Sequence, residues 1–516
     1  MKKITAVLIL VILCIAHLPA RAQFKLIAES TSFDEPETGV SRIVQMKNRN
    51  TFYIHLTEKE GIDLRIYDAD HVQKVATSVI PSFGKLKAGE FQAAFEVKND
   101  IVFFVSEYQD NAPVLYRLIF DGTNGKLKED KAIAINKRHG GMLNTAVINA
   151  FNVKKAVVGE SYAVEVYNIF EDDKDKRIEI IQFGDDNTET NRTFLVTGND
   201  DEFKFFVYMN MEVLDENKVN VFLFNGKEKY FYNTKKGRMV MASVDRKSTG
   251  KVAYTTVDLP EKIKFSRCTT QYIPKTKKLY LLLLELNEKD RDNYDNYLVK
   301  INTETNKMET SFVIDLDEKL NEKYKEKFSI RKDYVAMYRS FLVNEDESYT
   351  IIYEDRYSVS SPATGFGMNN QGSTTFYSGK IMVMNYNSKG EVVSGYVVPK
   401  LYNEDTYSQY KAPLYIVHGN NRYMAINDTE RNNDVKKDKF VAIVGVSDCD
   451  AYLYKLSGDD IVPKRDYFFT NAEAGRNLAS FKISNYNAAT STLVTLKLNK
   501  KSPSNKAVSV VWMQVE

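Results

Sequence analysis

Seven short segments place a cation or an amide between apolar or small residues. They are Ser41-Arg42-Ile43, Phe91-Gln92-Ala93, Phe203-Lys204-Phe205, Ser266-Arg267-Cys268, Tyr338-Arg339-Ser340, Tyr410-Lys411-Ala412 and Phe481-Lys482-Ile483. A guanidinium offers a planar fork of donors that matches carboxylate or phosphate in a bidentate way, and an ammonium offers a compact charge to the same groups. If the seven positions are equivalent, they form a basic ring whose field would concentrate anions at its mouth. Arg42, Arg267, Arg339 and Lys411 are then the candidate contacts for an anionic ligand. The spacing from each cation to its following turn varies, widest around Lys204. A shift of one residue turns a strand side chain to the opposite face, so the same pattern also fits ordinary solvated strand positions.

Other chemistry-bearing residues are scattered. The stretch from Tyr357 to Tyr377 is rich in Ser, Gly and Asn and carries Tyr357, Phe366 and Phe376, the kind of loop that covers a bound ligand. Asp290, Asp292 and Asp295 have oxygen ligands at roughly calcium-loop spacing but lack the central Gly and closing Glu of an EF-hand, and calcium is the one cofactor they suggest. His55, His71 and His418 show no metal-ligand spacing. Arg138-His139-Gly140 is similar to the Arg-His-Gly of histidine acid phosphatases, but that family continues Arg-x-Pro on an α/β fold. Here Gly141-Met142-Leu143 follows, and two glycines read as a turn. There is no Gly-x-Ser-x-Gly, and Gly365 to Gly372 lacks the spacing and following helix of a dinucleotide site.

The elements that must position these residues recur along the chain. A polar turn followed by an apolar strand appears as Asn50 to Leu56, Asn99 to Val105, Glu160 to Val166, Asn217 to Leu223, Lys277 to Leu283, Glu347 to Tyr353, Asn420 to Ile426 and Thr490 to Leu496. The pattern returns every roughly 55–65 residues, a period in the range of repeat folds. A second turn in most units is rich in Asp, Asn and Gly, as in Phe120-Asp-Gly-Thr-Asn-Gly-Lys126 and Ile301-Asn-Thr-Glu-Thr-Asn-Lys307. Those residues tolerate the left-handed conformations that tight hairpins need. The flanking strands are rich in Val, Ile, Tyr and Phe. Only Asp317 to Phe328 has helical periodicity.

Units of about four antiparallel strands at this period resemble a β-propeller. The Asp121 and Asp245 turns look like the outer hairpins of many bacterial propellers, although no Trp-Asp, kelch or Asp-box signature is present and the only Trp is Trp512. The fold expected is all-β, a single propeller of about eight four-stranded blades, with seven as the alternative because the Met142 to Phe183 unit is irregular. Two sandwich domains are the rival architecture. Phe24 to Ala28 reads as a lone strand, and the C-terminus supplies three strands without a fourth: Phe481 to Ser484, Thr492 to Leu498 and Val508 to Val515. An N-terminal strand joining the C-terminal blade would close the ring. In that topology the connections between second and third strands share one face, and they are the long ones: Asn225 to Gly237, Asn287 to Asn296, Tyr357 to Tyr377 and Asp428 to Asp438.

Residues 1–22 combine Met1-Lys-Lys, the apolar run Ile4 to Ala16 and the small-residue end Ala20-Arg-Ala22, the anatomy of a secretory signal peptide. The expected division is therefore 1–22 signal peptide and 23–516 propeller, with the mature chain in the periplasm or outside the cell and no transmembrane segment. Losing Lys2, Lys3 and Arg21 takes the formal charge from +2 to −1, which offers no general attraction for nucleic acid. Cys268 and Cys449 remain, read as an inner strand and an outer hairpin of different units, so two free thiols are expected. The function expected is non-catalytic binding, of a protein or of an anionic small molecule or glycan at the channel mouth. The alternatives are a hydrolase or lyase acting on an anionic glycan or phosphate ester, and a structural envelope protein.

Overall fold

The computed structural model describes residues 24–516 apart from 36–38, 58–60, 85, 87–88, 111, 138–149, 198–202, 228–236, 249–250, 258–264, 287–293, 315–317, 331–333, 335–336, 362–372, 404–408, 433–439, 444–448, 470–476 and 500–506. Its strands form eight antiparallel sheets, each built from consecutive strands except the last. Blade 1 spans Val40–Gln45 to Gln73–Val79, blade 2 Glu90–Val97 to Leu127–Ile135, and blade 3 Phe151–Lys155 to Glu189–Phe194. Blade 4 spans Phe205–Val213 to Val252–Val257, blade 5 Phe265–Ile273 to Lys307–Ile314, and blade 6 Met337–Val343 to Val392–Val398. Blade 7 spans Leu414–His418 to Arg465–Tyr467, and blade 8 Asn477–Ala479 to Ala507–Gln514. The chain is an eight-bladed β-propeller; the seven-blade count and the two-sandwich rival are not what the strands form.

The middle strands carry the apolar residues because both of their faces meet a neighbouring blade. Thr51–Leu56 and Tyr162–Tyr167 are buried at every position, whereas fourth strands such as Gln73–Val79 alternate between exposed and half-buried. Buried clusters alternate with blades around the ring. Phe52, Ile54 and Phe103 fill the gap between blades 1 and 2, and Phe104, Val164 and Phe183 the gap between blades 2 and 3. Ile352, Val383 and Met424 lie between blades 6 and 7, and Tyr53, Val494 and Trp512 between blades 8 and 1. The hairpins follow the expected chemistry. Asp121 Oδ1 accepts from the Thr123 and Asn124 N–H groups at 2.9 and 3.0 Å, and Gly125 takes φ 72°.

The ring closes as the termini suggest. Lys25–Glu29 pairs antiparallel with Ala507–Gln514 as the outermost strand of blade 8. Phe24, 1% exposed, packs edge-on to Tyr423 and Phe468 of blade 7 at 5.0 and 5.7 Å. Trp512 Nε1 donates to Thr51 Oγ1 of blade 1 at 2.9 Å. Polar side chains also bridge the inner edges of adjacent blades. Gln45 of blade 1 reaches the Asn485 carbonyl of blade 8 at 2.7 Å, and Gln271 of blade 5 exchanges two hydrogen bonds with Val343 of blade 6 at 2.9 and 2.7 Å.

A helix, α1 (Glu318–Phe328), lies between blades 5 and 6 where the periodicity predicts it. It buries Leu320, Tyr324 and Phe328, four residues apart, so one face points inward. Several placements are corrected, among them Phe203 and Lys204, which precede the inner strand Phe205–Val213. Phe481 to Ile483 is a turn between the short strands Asn477–Ala479 and Asn485–Asn487. Tyr410 and Lys411 belong to the 3-10 turn Gln409–Lys411, ahead of the inner strand Leu414–His418. Cys449 ends the connection between the second and third strands of blade 7 and is buried against Tyr402 and Ile443, rather than lying in an outer hairpin. Cys268 and Cys449 are both free thiols.

Candidate functional site

An inner strand faces the ring axis along its unpaired edge, and the surroundings of each cation there decide what it can bind. Arg42 lies in the inner strand of blade 1 and stacks over the Phe91 ring of blade 2, with 3.9 Å from its Cζ to the centroid. Its Nη1 donates to the Ser41 carbonyl at 2.7 Å. Among the described residues no carboxylate pairs with it, and burial alone pulls its pKa below the usual range. Lys482 of blade 8 lies nearby, its residue exposed but its ammonium end partly withdrawn from water; that partial desolvation lowers its pKa, and the charge of Arg42 lowers it further. Two cations therefore repel one another at the junction of blades 8, 1 and 2.

Arg339 meets a different environment. It is the bulged residue of its strand, because the register slips between Tyr338 and Ser340 opposite Tyr353 and Ile352. The bulge re-aims its side chain onto Glu354, with which it forms an ion pair. Glu354 is 1% exposed and also accepts from Lys400 Nζ and Ser378 Oγ, each at 2.6 Å, while Arg356 Nε lies 3.9 Å away. Lys400 is fully buried and its Nζ sits 4.2 Å from the centroid of the Tyr402 ring. Burial alone would raise the Glu354 pKa, but the charges of Lys400 and Arg339 outweigh it and hold the carboxyl at about 2. Arg339 is thus part of a buried ionic cluster at the root of the longest hairpin, Tyr349–Ser361 with Ser373–Tyr386.

The remaining candidates are placed as follows. Arg267 lies in the inner strand of blade 5, its backbone opposite Leu284 after a bulge at Ser266. Lys411 Nζ donates to the Asn403 carbonyl at 2.5 Å. Tyr357 and Phe376 are exposed on the long hairpin, and Tyr357 stacks on Tyr377 at 5.3 Å. Phe366, Arg138 to Gly140, Asp290 and Asp292 lie outside the described residues, while Asp295 is in a strand opposite Glu285. No group of three His, Cys, Asp or Glu side chains among the described residues is arranged to hold a metal.

Three polar clusters escaped the sequence reading. Lys154, Glu212 and Thr270 bridge the inner strands of blades 3, 4 and 5, with Lys154–Glu212 at 3.2 Å and Thr270 Oγ1 donating to Glu212 at 2.7 Å. Asp428 of blade 7 pairs with Arg465 at 2.9 Å; burial still pushes it up to about 6 against that partner and the Asn432 amide. The third resembles a nucleophile with its base: Ser41 Oγ lies 2.8 Å from His55 Nδ1, beside Glu35. Its geometry does not serve catalysis. Ser41 Oγ donates its proton to Glu35 Oε1 at 2.7 Å, so His55 Nδ1 donates to Ser41 and cannot act as its base. Ser41 and His55 are 2% and 3% exposed, which closes the oxygen to substrate. Burial raises the Glu35 pKa, but the hydrogen bonds from His55 and Ser41 outweigh it and keep the carboxyl ionised. The cluster anchors the returning N-terminal segment to blade 1.

No family profile and no curated protein matches this chain. Among solved structures it is similar to the polysaccharide lyase Uly1, at 10% identity over 85% of this chain and 93% of that one, with a TM-score of 0.37. It is similar to the β-propeller domain of the Trilobed protease from Pyrococcus furiosus, at 10% identity over 83% and 96% of the two chains and a TM-score of 0.36. It is also similar to the α-L-arabinofuranosidase Arb93A from Fusarium graminearum, at 10% identity over 70% and 91% and a TM-score of 0.32. These likenesses are too distant to carry function, and the fold rests on the strand order of the chain itself.

Proposed function

We propose that this chain is an exported binding propeller that recognises an anionic group at the inner edge of blades 8, 1 and 2. Arg42 carries this reading. A guanidinium half-removed from water, stacked on Phe91 and, among the described residues, bonded only to a carbonyl, is held at a cost unless an anion completes its shell. Lys482 beside it adds positive charge that a single carboxylate or phosphate would relieve. Of the basic ring, Arg42 and Lys482 make the contacts, while Arg339 already holds Glu354. The signal-peptide anatomy of residues 1–22 supports delivery outside the cytoplasm. The long hairpin of blade 6, with Tyr357 and Phe376 exposed, is the part of the second-to-third-strand face best suited to cover a larger ligand.

The test is calorimetric titration with uronic-acid oligosaccharides and phosphorylated compounds. One class should bind, more weakly as salt rises, and the double substitution Arg42→Ala with Lys482→Ala should remove the heat. Binding that survives the double substitution, or no binding by any anion, would overturn the proposal.

A further inference from the structure

The outer wall between blades 2 and 3 holds a groove of about 690 Å³ that the binding reading above does not use. Its size falls within the roughly 300–1,000 Å³ of small-molecule sites. It forms where the fourth strand of blade 2 (Leu127–Ile135) faces the outer hairpin of blade 3 (Phe183 to Glu189). Ile119, Ile133 and Phe183 give it an apolar floor.

Most of the charges around this floor are already matched; Lys131 and Asp186 alone have no ion pair among the described residues. Arg117, only 4% exposed, donates from Nε to Glu129 at 2.7 Å and from Nη1 to Tyr162 Oη and the Asn187 carbonyl at 2.6 and 2.7 Å. Lys128 meets Asp100 at 2.7 Å, and Arg192 meets Glu189 at 2.8 Å. A charged ligand seated on the Arg117–Glu129, Lys128–Asp100 or Arg192–Glu189 pair would have to break it and leave one partner unmatched. A neutral ligand dense in hydroxyls would not. Each hydroxyl both donates and accepts, so it can bridge a carboxylate and a cation without separating them. Arg117 Nη2, which makes no hydrogen bond among the described residues, offers one further fixed donor.

We propose that this groove binds a neutral sugar unit, with its hydroxyls on the paired charges and its carbon skeleton on the Ile119, Ile133 and Phe183 floor. The site is independent of Arg42, which lies on the inner edge of the ring.

The experiment uses the full mature chain and saturation-transfer NMR with calorimetry. The panel contains neutral gluco-, manno- and xylo-oligosaccharides, and uronic-acid oligosaccharides as charged counterparts. Ala132 lines the groove from an exposed position, so Ala132→Trp should fill it without disturbing the core. At least one neutral oligosaccharide should bind. Ala132→Trp should weaken it tenfold or more at unchanged melting temperature, and Arg192→Ala should weaken it by a smaller factor. Arg42→Ala with Lys482→Ala should leave it untouched, which separates this site from the anion site. Binding by the charged panel alone, no binding by any neutral sugar, or an affinity indifferent to Ala132→Trp would overturn the proposal.

Discussion

Replacing Glu354 by Gln tests whether Arg339 is a structural cation. Glu354 is buried at 1% exposure with Lys400, itself fully buried, 2.6 Å from its Oε1 and Arg339 on Oε2. Removing the carboxylate charge strands the Lys400 ammonium in a low-dielectric interior. Breaking a buried pair in this way costs about 3–5 kcal/mol. The depressed carboxyl pKa, set by the same charges, gives a figure of the same order. The carboxyl falls from 4.5 to about 2 on folding, and each tenfold change in proton affinity is worth about 1.4 kcal/mol, so the contribution is about 3 kcal/mol. Because the folded value is depressed, that stability is fully present above the unfolded value of 4.5. It is lost as pH falls toward 2, since the unfolded chain then takes up a proton that the folded site resists. Urea unfolding at pH 7 should show Glu354→Gln about 3 kcal/mol or more less stable than the parent. The paired substitution Glu354→Leu with Lys400→Met should recover much of the loss, because no buried charge is left alone. A Glu354→Gln variant within 1 kcal/mol of the parent at pH 7, or a double variant as damaged as the two single losses combined, would refute the ionic-cluster account.

Other outcomes follow from the same structure. Phe24→Ala removes a fully buried ring at the closure and should cost about 3–5 kcal/mol by denaturant titration. Deleting residues 23–29 bares the Ala507–Gln514 edge and should produce aggregation, whereas unchanged melting would contradict closure by this strand. Cys449 is 1% exposed and burial raises the Cys268 thiol pKa well above its ordinary value, so alkylation should label neither thiol in the native protein and both after unreduced denaturation. Mass spectrometry of the native exported protein should find Gln23 as the first residue; a retained Met1 would remove the export reading.

The fold was readable because its signals are local and repeated. The Asn, Asp and Gly hairpins, the apolar second strands and the orphan strand at Phe24 to Ala28 each report on their own few residues, and eight copies reinforce one another. The helix was readable for the same reason, through Leu320, Tyr324 and Phe328 on one face. The site was less legible because its partners are set by register. Inner strands of blades 2, 4, 5 and 6 each slip by one residue, at Gln92, Met209, Ser266 and Arg339. A slip reverses which face a neighbour presents, and no spacing rule foretells it. That slip joins Arg339 to Glu354, and Lys400 arrives from beyond the fourth strand of the same blade. Lys411 and Lys482 sit in strand-like sequence, but both lie in turns that interrupt or precede the inner strand. The groove at Arg117 joins strands of two blades whose only sequence trace is an arginine in an otherwise apolar third strand, Ala112–Asp121.

The central claim is that Arg42 and Lys482 together hold an anion. Anomalous diffraction from crystals soaked in selenate tests it at atomic positions. The account predicts a selenium peak within hydrogen-bond reach of both the Arg42 guanidinium and the Lys482 ammonium, absent in crystals of the Arg42→Ala variant. Selenate bound at Arg339 or Arg356 instead, with the space between Arg42 and Lys482 empty, would contradict it.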